Sequence, residues 1–240
     1  LSGHNFIFTQ FWVRIESEQK LEELSMKHVT IDIVSDIACP WCAIGYARLE
    51  KAMEELKNEM DFTIEWHAFE LNPDPSGDGE PILPALSRKY GRSEDEMRAN
   101  QAQMIDVAHS LGLNFEKLQE RYTRNTFDAH RLVKWAGQHN KQTAMKQAFF
   151  EAYFGRAENI AQADILVQCV EEIGLNGSDA REVLTSNRYA DDVRQDEAKY
   201  QQAGVSAVPA YIVNDKYMIS GAQEPDTLVK ALREIAAEPV

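Results

Sequence analysis

Cys39-Pro40-Trp41-Cys42 places two thiols at the C-x-x-C spacing, which closes one disulfide and opens it again. The residues before it, His28-Val29-Thr30-Ile31-Asp32-Ile33-Val34, alternate and are rich in β-branched side chains, so they predict a strand. After it, Tyr46, Leu49, Met53 and Leu56 recur at helical spacing. Cys39 therefore falls at a helix N-terminus. There the unpaired backbone N–H groups and the positive end of the helix dipole favour a thiolate, which makes the sulfur a nucleophile near neutral pH. Pro40, in the first turn, gives up no hydrogen bond. Two other uses of the pair are weaker. A zinc site normally takes four ligands, and the only other cysteine is Cys169. A structural staple gains little from so short a loop. No metal is expected, and Cys169, inside Ile165-Leu166-Val167-Gln168-Cys169-Val170, reads as a small buried hydrophobe.

The elements that must hold this pair follow from pattern. Asp61 to Leu71 predicts a second strand, and the turn-rich stretch through Gly77, Gly79, Pro81 and Pro84 a connection. From about Ser87 to Ala203 the apolar period is helical. Helices are predicted over 94–111, 115–122, 128–138, 141–154, 161–173, 179–184 and 191–202. Strand signals return at Val208 to Val213, Asn214-Asp215 predicts a tight hairpin turn into Lys216 to Ser220, and a last helix covers about 225–236. With the helical block removed, what is left is β-α-β followed by β-β-α. The expected division is 1–25 as an extension, 26–86 and 204–240 as the α/β domain, and 87–203 as an all-helical insertion.

Composition narrows the class. The chain of 240 residues has 39 acidic against 25 basic residues, a net charge of −14, which argues against nucleic acid as a partner. No apolar run is long enough to span a membrane. Phe6, Ile7, Phe8, Phe11, Trp12, Val13 and Ile15 form an apolar cluster without a basic leader or a small-residue cleavage site. Residues 1–25 are accordingly expected to be dispensable to a functional chain beginning at Met26, with packing of the cluster on the body as the competing expectation. Few cysteines and no secretion signal lead to the expectation of a cytoplasmic, reducing setting.

Five segments carry a resemblance to a known family: Ser35-Asp36-Ile37-Ala38-Cys39-Pro40-Trp41-Cys42, Phe69-Glu70-Leu71-Asn72-Pro73, Asn125-Thr126-Phe127-Asp128-Ala129-His130-Arg131-Leu132, Gly204-Val205-Ser206-Ala207-Val208-Pro209 and Ser220-Gly221-Ala222-Gln223. Together they resemble the DsbA family, and within it the FrnE-like branch, over almost everything from Met26 onward. The resemblance implies a thioredoxin fold with a large helical insertion and a thiol-disulfide oxidoreductase activity. It assigns Cys39 as the exposed nucleophile, Cys42 as the buried resolving thiol and Val208-Pro209 as the cis-proline loop beside Cys39. Ala207 departs from the glycine common in relatives. Asp36, if buried, is expected to have a raised pKa and to assist proton transfer, against a plain hydrogen-bonding role at the strand end. His130 reads first as a structural histidine, with the resemblance adding a contact to substrate. Asn125 or Thr126 is expected to cap its helix. Trp41 tunes the couple or offers an apolar contact.

Expected partners are protein or small-molecule thiols and disulfides, with glutathione as a candidate redox partner and a homodimer as a candidate assembly. No metal or organic cofactor is expected. Two rival readings stand beside this one. The first is a glutathione-dependent isomerase or transferase related to hydroxychromene-carboxylate isomerase, whose members typically carry serine where Cys39 stands. The second is a redox-silent binding protein.

Overall fold

The computed structural model describes residues 26–74 and 79–238. The expected extension 1–25 and residues 75–78 of the expected turn-rich connection lie outside them. Strand β1 (Lys27–Ser35) leads into helix α1 (Pro40–Leu56) and strand β2 (Met60–Ala68). Seven helices follow: α2 (Ile82–Tyr90), α3 (Glu94–Ser110), α4 (Phe127–Gly137), α5 (Gln142–Phe150), α6 (Ala163–Glu172), α7 (Gly177–Thr185) and α8 (Ala190–Gln202). Strands β3 (Ala210–Val213) and β4 (Tyr217–Ser220) and helix α9 (Pro225–Ala237) complete the chain. The sheet order is β2-β1-β3-β4, with β1 parallel to β2 and antiparallel to β3.

β1 is central and its two faces bury different sets. Val29, Ile31 and Ile33 join Ile44 and Leu49 of α1 and Trp66 of β2 in the main core, while Val34 packs on the other side with Phe69, Tyr200 and Ala210. This follows from the two-residue period of a strand. Trp66 fastens the sheet to the helical block, because its indole N–H donates to Thr143 Oγ1 of α5 at 2.9 Å. Burying an indole of about 200 Å² is worth roughly 5 kcal/mol. The strand's outer edge is held as well, with Trp66 N–H donating to Gln142 Oε1 (3.1 Å) and Ala68 N–H to Asp196 Oδ2 of α8 (3.1 Å).

Asn214 and Asp215 both take positive φ, as a primed hairpin turn requires, and Asn214 Oδ1 accepts from Thr30 N–H. Three expectations are corrected. Residues 115–122 form no helix but a run of tight turns, with Leu118 N–H closing on the Phe115 carbonyl and Glu120 N–H on that of Lys117. Their apolar spacing arises because Phe115 and Leu118 both point into the core. Helix α2 begins at Ile82, inside the stretch expected to be a turn-rich connection and ahead of the first predicted helix at 94–111. Pro84 is tolerated because it occupies the first turn, where an N–H has no helical partner. The helix predicted over 141–154 is α-helical only to Phe150, and Glu151–Gly155 forms a π turn.

Candidate active site

The β1–α1 junction brings the two thiols to the top of the sheet. Cys39 is the N-cap residue of α1, with extended backbone, and Pro40 opens the helix. The Val208–Pro209 peptide is cis, and the Cys39 thiol donates to the Val208 carbonyl at 3.6 Å. α1 can approach this loop because position 45 is glycine. A Cβ there would lie 2.3 Å from the Tyr211 hydroxyl and 3.0 Å from Pro209 Cγ.

The expectation of an exposed Cys39 is corrected by its surroundings. It is 5% exposed against 1% for Cys42, because the Val208 carbonyl covers it. Trp41, between them, is 41% exposed and is the open side of the motif. The two thiols titrate as a pair. The ionisation pushed well up is that of Cys39, first by the hydrogen bond with the partner sulfur, then by burial and then by the partner's charge, so the thiolate expected there from the helix N-terminus is opposed by its neighbour. Burial also opposes the ionisation of Cys42, but it is outweighed by the partner thiol and by the charge of the Lys146 ammonium, so that thiol is lowered. The N-cap position therefore competes with a cation on the Cys42 side for where the single charge rests.

Asp36 is buried, as one expectation held, but its pKa is lowered rather than raised. Burial alone would raise it. His130, and then the Leu71 and Ala38 N–H groups, outweigh that. Its Oδ1 accepts from Ala38 N–H (3.0 Å) and the Thr126 hydroxyl (2.9 Å), and its Oδ2 accepts from Leu71 N–H (2.7 Å). His130 Nε2 stands 3.5 Å from Oδ1. His130 is itself buried, and burial lowers its pKa, so it supports Asp36 from behind rather than opening to solvent. Thr126 is the N-cap residue of α4, but its hydroxyl goes to Asp36. Asn125 Oδ1 takes the Phe127 N–H, and Asn125 Nδ2 donates to Glu70 Oε2. Three segments far apart in sequence thus meet on one carboxylate beneath the thiols.

Lys146 was missed by sequence reasoning. It lies on α5 between Met145 and Phe149, where a lone lysine beside apolar neighbours reads as a helix-face charge. It is buried instead, with Nζ 3.4 Å from the Ser35 carbonyl oxygen and 5.2 Å from the Trp66 ring centre. Burial lowers its pKa to about 8, and the charges of Cys42, Asp36 and Cys39 act in the other direction. Tyr211, whose buried hydroxyl has no hydrogen-bond partner among the described residues, also faces the pair. Cys169 is buried away from this site and burial raises its thiol to about 12. Mass-shift labelling of the reduced and the oxidised protein, each after unfolding, is therefore expected to differ by two thiols, Cys39 and Cys42, with Cys169 labelled in both. Loss of Cys169 labelling on oxidation, or no difference between the two forms, would contradict the assignment of the pair.

Comparison with known proteins agrees with this geometry. The chain is 31% identical over 210 residues to the uncharacterized protein YwbO of Bacillus subtilis (strain 168), covering 86% of this chain and 96% of YwbO. It superposes with a TM-score of 0.84 and 32% identity on the crystal structure of a probable DsbA oxidoreductase, SCO1869, from Streptomyces coelicolor, over 89% of this chain and 92% of that one. A 2-hydroxychromene-2-carboxylate isomerase shares the fold at a TM-score of 0.63 and 16% identity, over 86% of this chain and 95% of that one. Residues 30–233 match the family described as DSBA-like thioredoxin domain, and the chain belongs to that family.

Proposed function

We propose that this protein is a thiol-disulfide oxidoreductase of the FrnE-like branch, acting through Cys39 and Cys42 on protein or small-molecule disulfides. The observation that carries the reading is the geometry of the sulfur pair: two cysteines at the N-terminus of α1, with the Cys39 thiol 3.6 Å from the carbonyl oxygen of the cis Val208–Pro209 peptide. In the reductive direction the Cys39 thiolate attacks one sulfur of a substrate disulfide. A Cys39–substrate disulfide forms and the other substrate sulfur leaves as a thiolate. Cys42 then loses its proton and attacks the Cys39 sulfur. The Cys39–Cys42 disulfide forms, the second substrate thiol is released, and the two protons of the dithiol end on the two substrate sulfurs. A partner dithiol, or two molecules of glutathione, returns the pair to the reduced form. Run backwards, the same steps oxidise a substrate dithiol.

Around this chemistry, Val208 and Pro209 would meet the substrate backbone, and the half-open Trp41 would offer it an apolar face. Pro40 opens α1, and Asp36 with His130 holds the loop that carries Cys39. Cys42, which faces Ser35 and Lys146, speaks against a reaction that needs only one thiol, as in the isomerase reading. The small number of cysteines fits a reducing, cytoplasmic setting.

The test is reduction of insulin disulfides together with trapping. Cys42→Ser is expected to accumulate a mixed disulfide through Cys39, releasable by dithiothreitol, while Cys39→Ser traps nothing and reduces insulin no faster than the buffer. If neither variant changes turnover, or no adduct forms on Cys39, the reading is wrong.

A further inference from the structure

Away from the thiols, on the face of the sheet that packs against α8, three metal-type donors converge. Asp32 of β1 and Glu65 of β2 are paired in register, and His67 lies two residues further on the same face. One donor atom from each lies within 4.8 Å of the others. We infer that Asp32, Glu65 and His67 form a binding site for a divalent transition-metal ion of the zinc class, which clamps the sheet to the helical block.

The geometry around His67 carries this. Its Nε2 is buried and makes no hydrogen bond among the described residues, yet it stands 3.2 Å from Asp32 Oδ1. Two ligands bound to one metal at about 2.0–2.1 Å with a tetrahedral opening lie about 3.3 Å apart. The spacing is thus that of two ligands of a common ion. The other ring nitrogen, Nδ1, faces Asp196 Oδ1 at 3.2 Å. Donation from Nδ1 to that carboxylate leaves Nε2 with its lone pair free, the tautomer a metal needs. Asp196 is in turn fixed by Lys134 Nζ (2.5 Å) and Ala68 N–H (3.1 Å). Tyr200 donates its hydroxyl to Asp32 Oδ2 at 3.2 Å, which leaves Oδ1 for the ion.

The charges fit as well. Lys134 neutralises Asp196, so the carboxylates of Asp32 and Glu65 remain to match a divalent cation. Lys199, whose Nζ is 3.3 Å from the Tyr200 hydroxyl, lies in the outer ring. Glu65 is exposed and gives an ion its way in, with water completing the coordination. One nitrogen and two oxygen donors suit zinc or cobalt better than calcium or magnesium, which prefer oxygen alone. Because the outer partners Asp196 and Tyr200 belong to α8, a bound ion would join β1, β2 and α8 through one centre.

The test uses the full chain with Cys39 and Cys42 oxidised to the disulfide, so that the thiols cannot bind metal. Co2+ is titrated and followed by its visible absorption, and Zn2+ by calorimetry and thermal melts. One equivalent of either ion is expected, with a rise in melting temperature on adding Zn2+. Glu65→Gln, an exposed change that leaves insulin reduction intact, is expected to weaken binding at least about tenfold and to remove most of the Zn2+-dependent rise. His67→Gln is expected to abolish binding, and if that variant does not fold, Glu65→Gln and Asp32→Asn decide. No binding to the oxidised chain would overturn the inference, as would an affinity unchanged by Glu65→Gln. These outcomes are independent of whether the thiol chemistry proposed above is correct.

Discussion

Asp36→Ala is expected to lower stability by about 3–5 kcal/mol, because it strands the Ala38 and Leu71 N–H groups and the Thr126 hydroxyl in a buried site. For a chain of this size that is a fall of roughly 10 °C or more in melting temperature. The pH dependence has a defined sign. The folded-state pKa of Asp36 is held below its ordinary 3.8, so its stabilising contribution is complete above about pH 4 and is lost as pH falls through the lowered value. The difference between wild type and variant should therefore be constant near neutrality and shrink in acid. Denaturant titrations at several pH values measure it. A difference that is small at pH 7, or that grows on acidification, would remove Asp36 from the centre of this network.

Lys146→Met is expected to do the opposite to stability while impairing the chemistry. Lowering the lysine pKa from 10.5 to about 8 means that the folded state holds this proton reluctantly, a penalty of roughly 3 kcal/mol at neutral pH. The penalty is full below about pH 8 and fades as pH approaches the unfolded value. Methionine, of similar shape, removes it, so the variant should be more stable at pH 7, with the gain gone near pH 10.5. The same change removes the cation that faces Cys42. Thiolate absorbance against pH should then show the first ionisation of the pair moved upward. The couple should become more reducing, by about 30 mV for each pKa unit of that shift. A variant that is less stable and has an unchanged thiol titration would show Lys146 to be a packing residue only.

The contrast between these two residues and the C-x-x-C explains what was legible in the sequence. The strand, the motif and the helix around Cys39 are contiguous, so local pattern places them, and the positive-φ pair Asn214-Asp215 identifies the hairpin in the same way. Asp36 was found by proximity to the motif, but the sign of its pKa shift was not, since its decisive partners Leu71, Thr126 and His130 come from two distant segments. Those segments carry part of the family resemblance, and their meeting point on one carboxylate is their structural meaning. Lys146 carries no local signal at all, because the Ser35 carbonyl it faces is 111 residues away. The segment 115–122 failed for a related reason: turns of three-residue spacing and a helix place apolar side chains on one side in much the same rhythm.

The side-chain acceptors along the outer edge of β2 also govern how copies of this chain can meet. Adding a strand to a sheet needs a row of unclaimed N–H and C=O groups. At the C-terminal half of β2 the Trp66 and Ala68 donors are already engaged by Gln142 and Asp196, and two helices stand where a neighbouring chain would lie. That edge is closed to lateral growth of the sheet. Sheet-to-sheet joining at that half of β2 is thereby blocked, which leaves β4, the strand at the other end of the sheet, as the less encumbered edge.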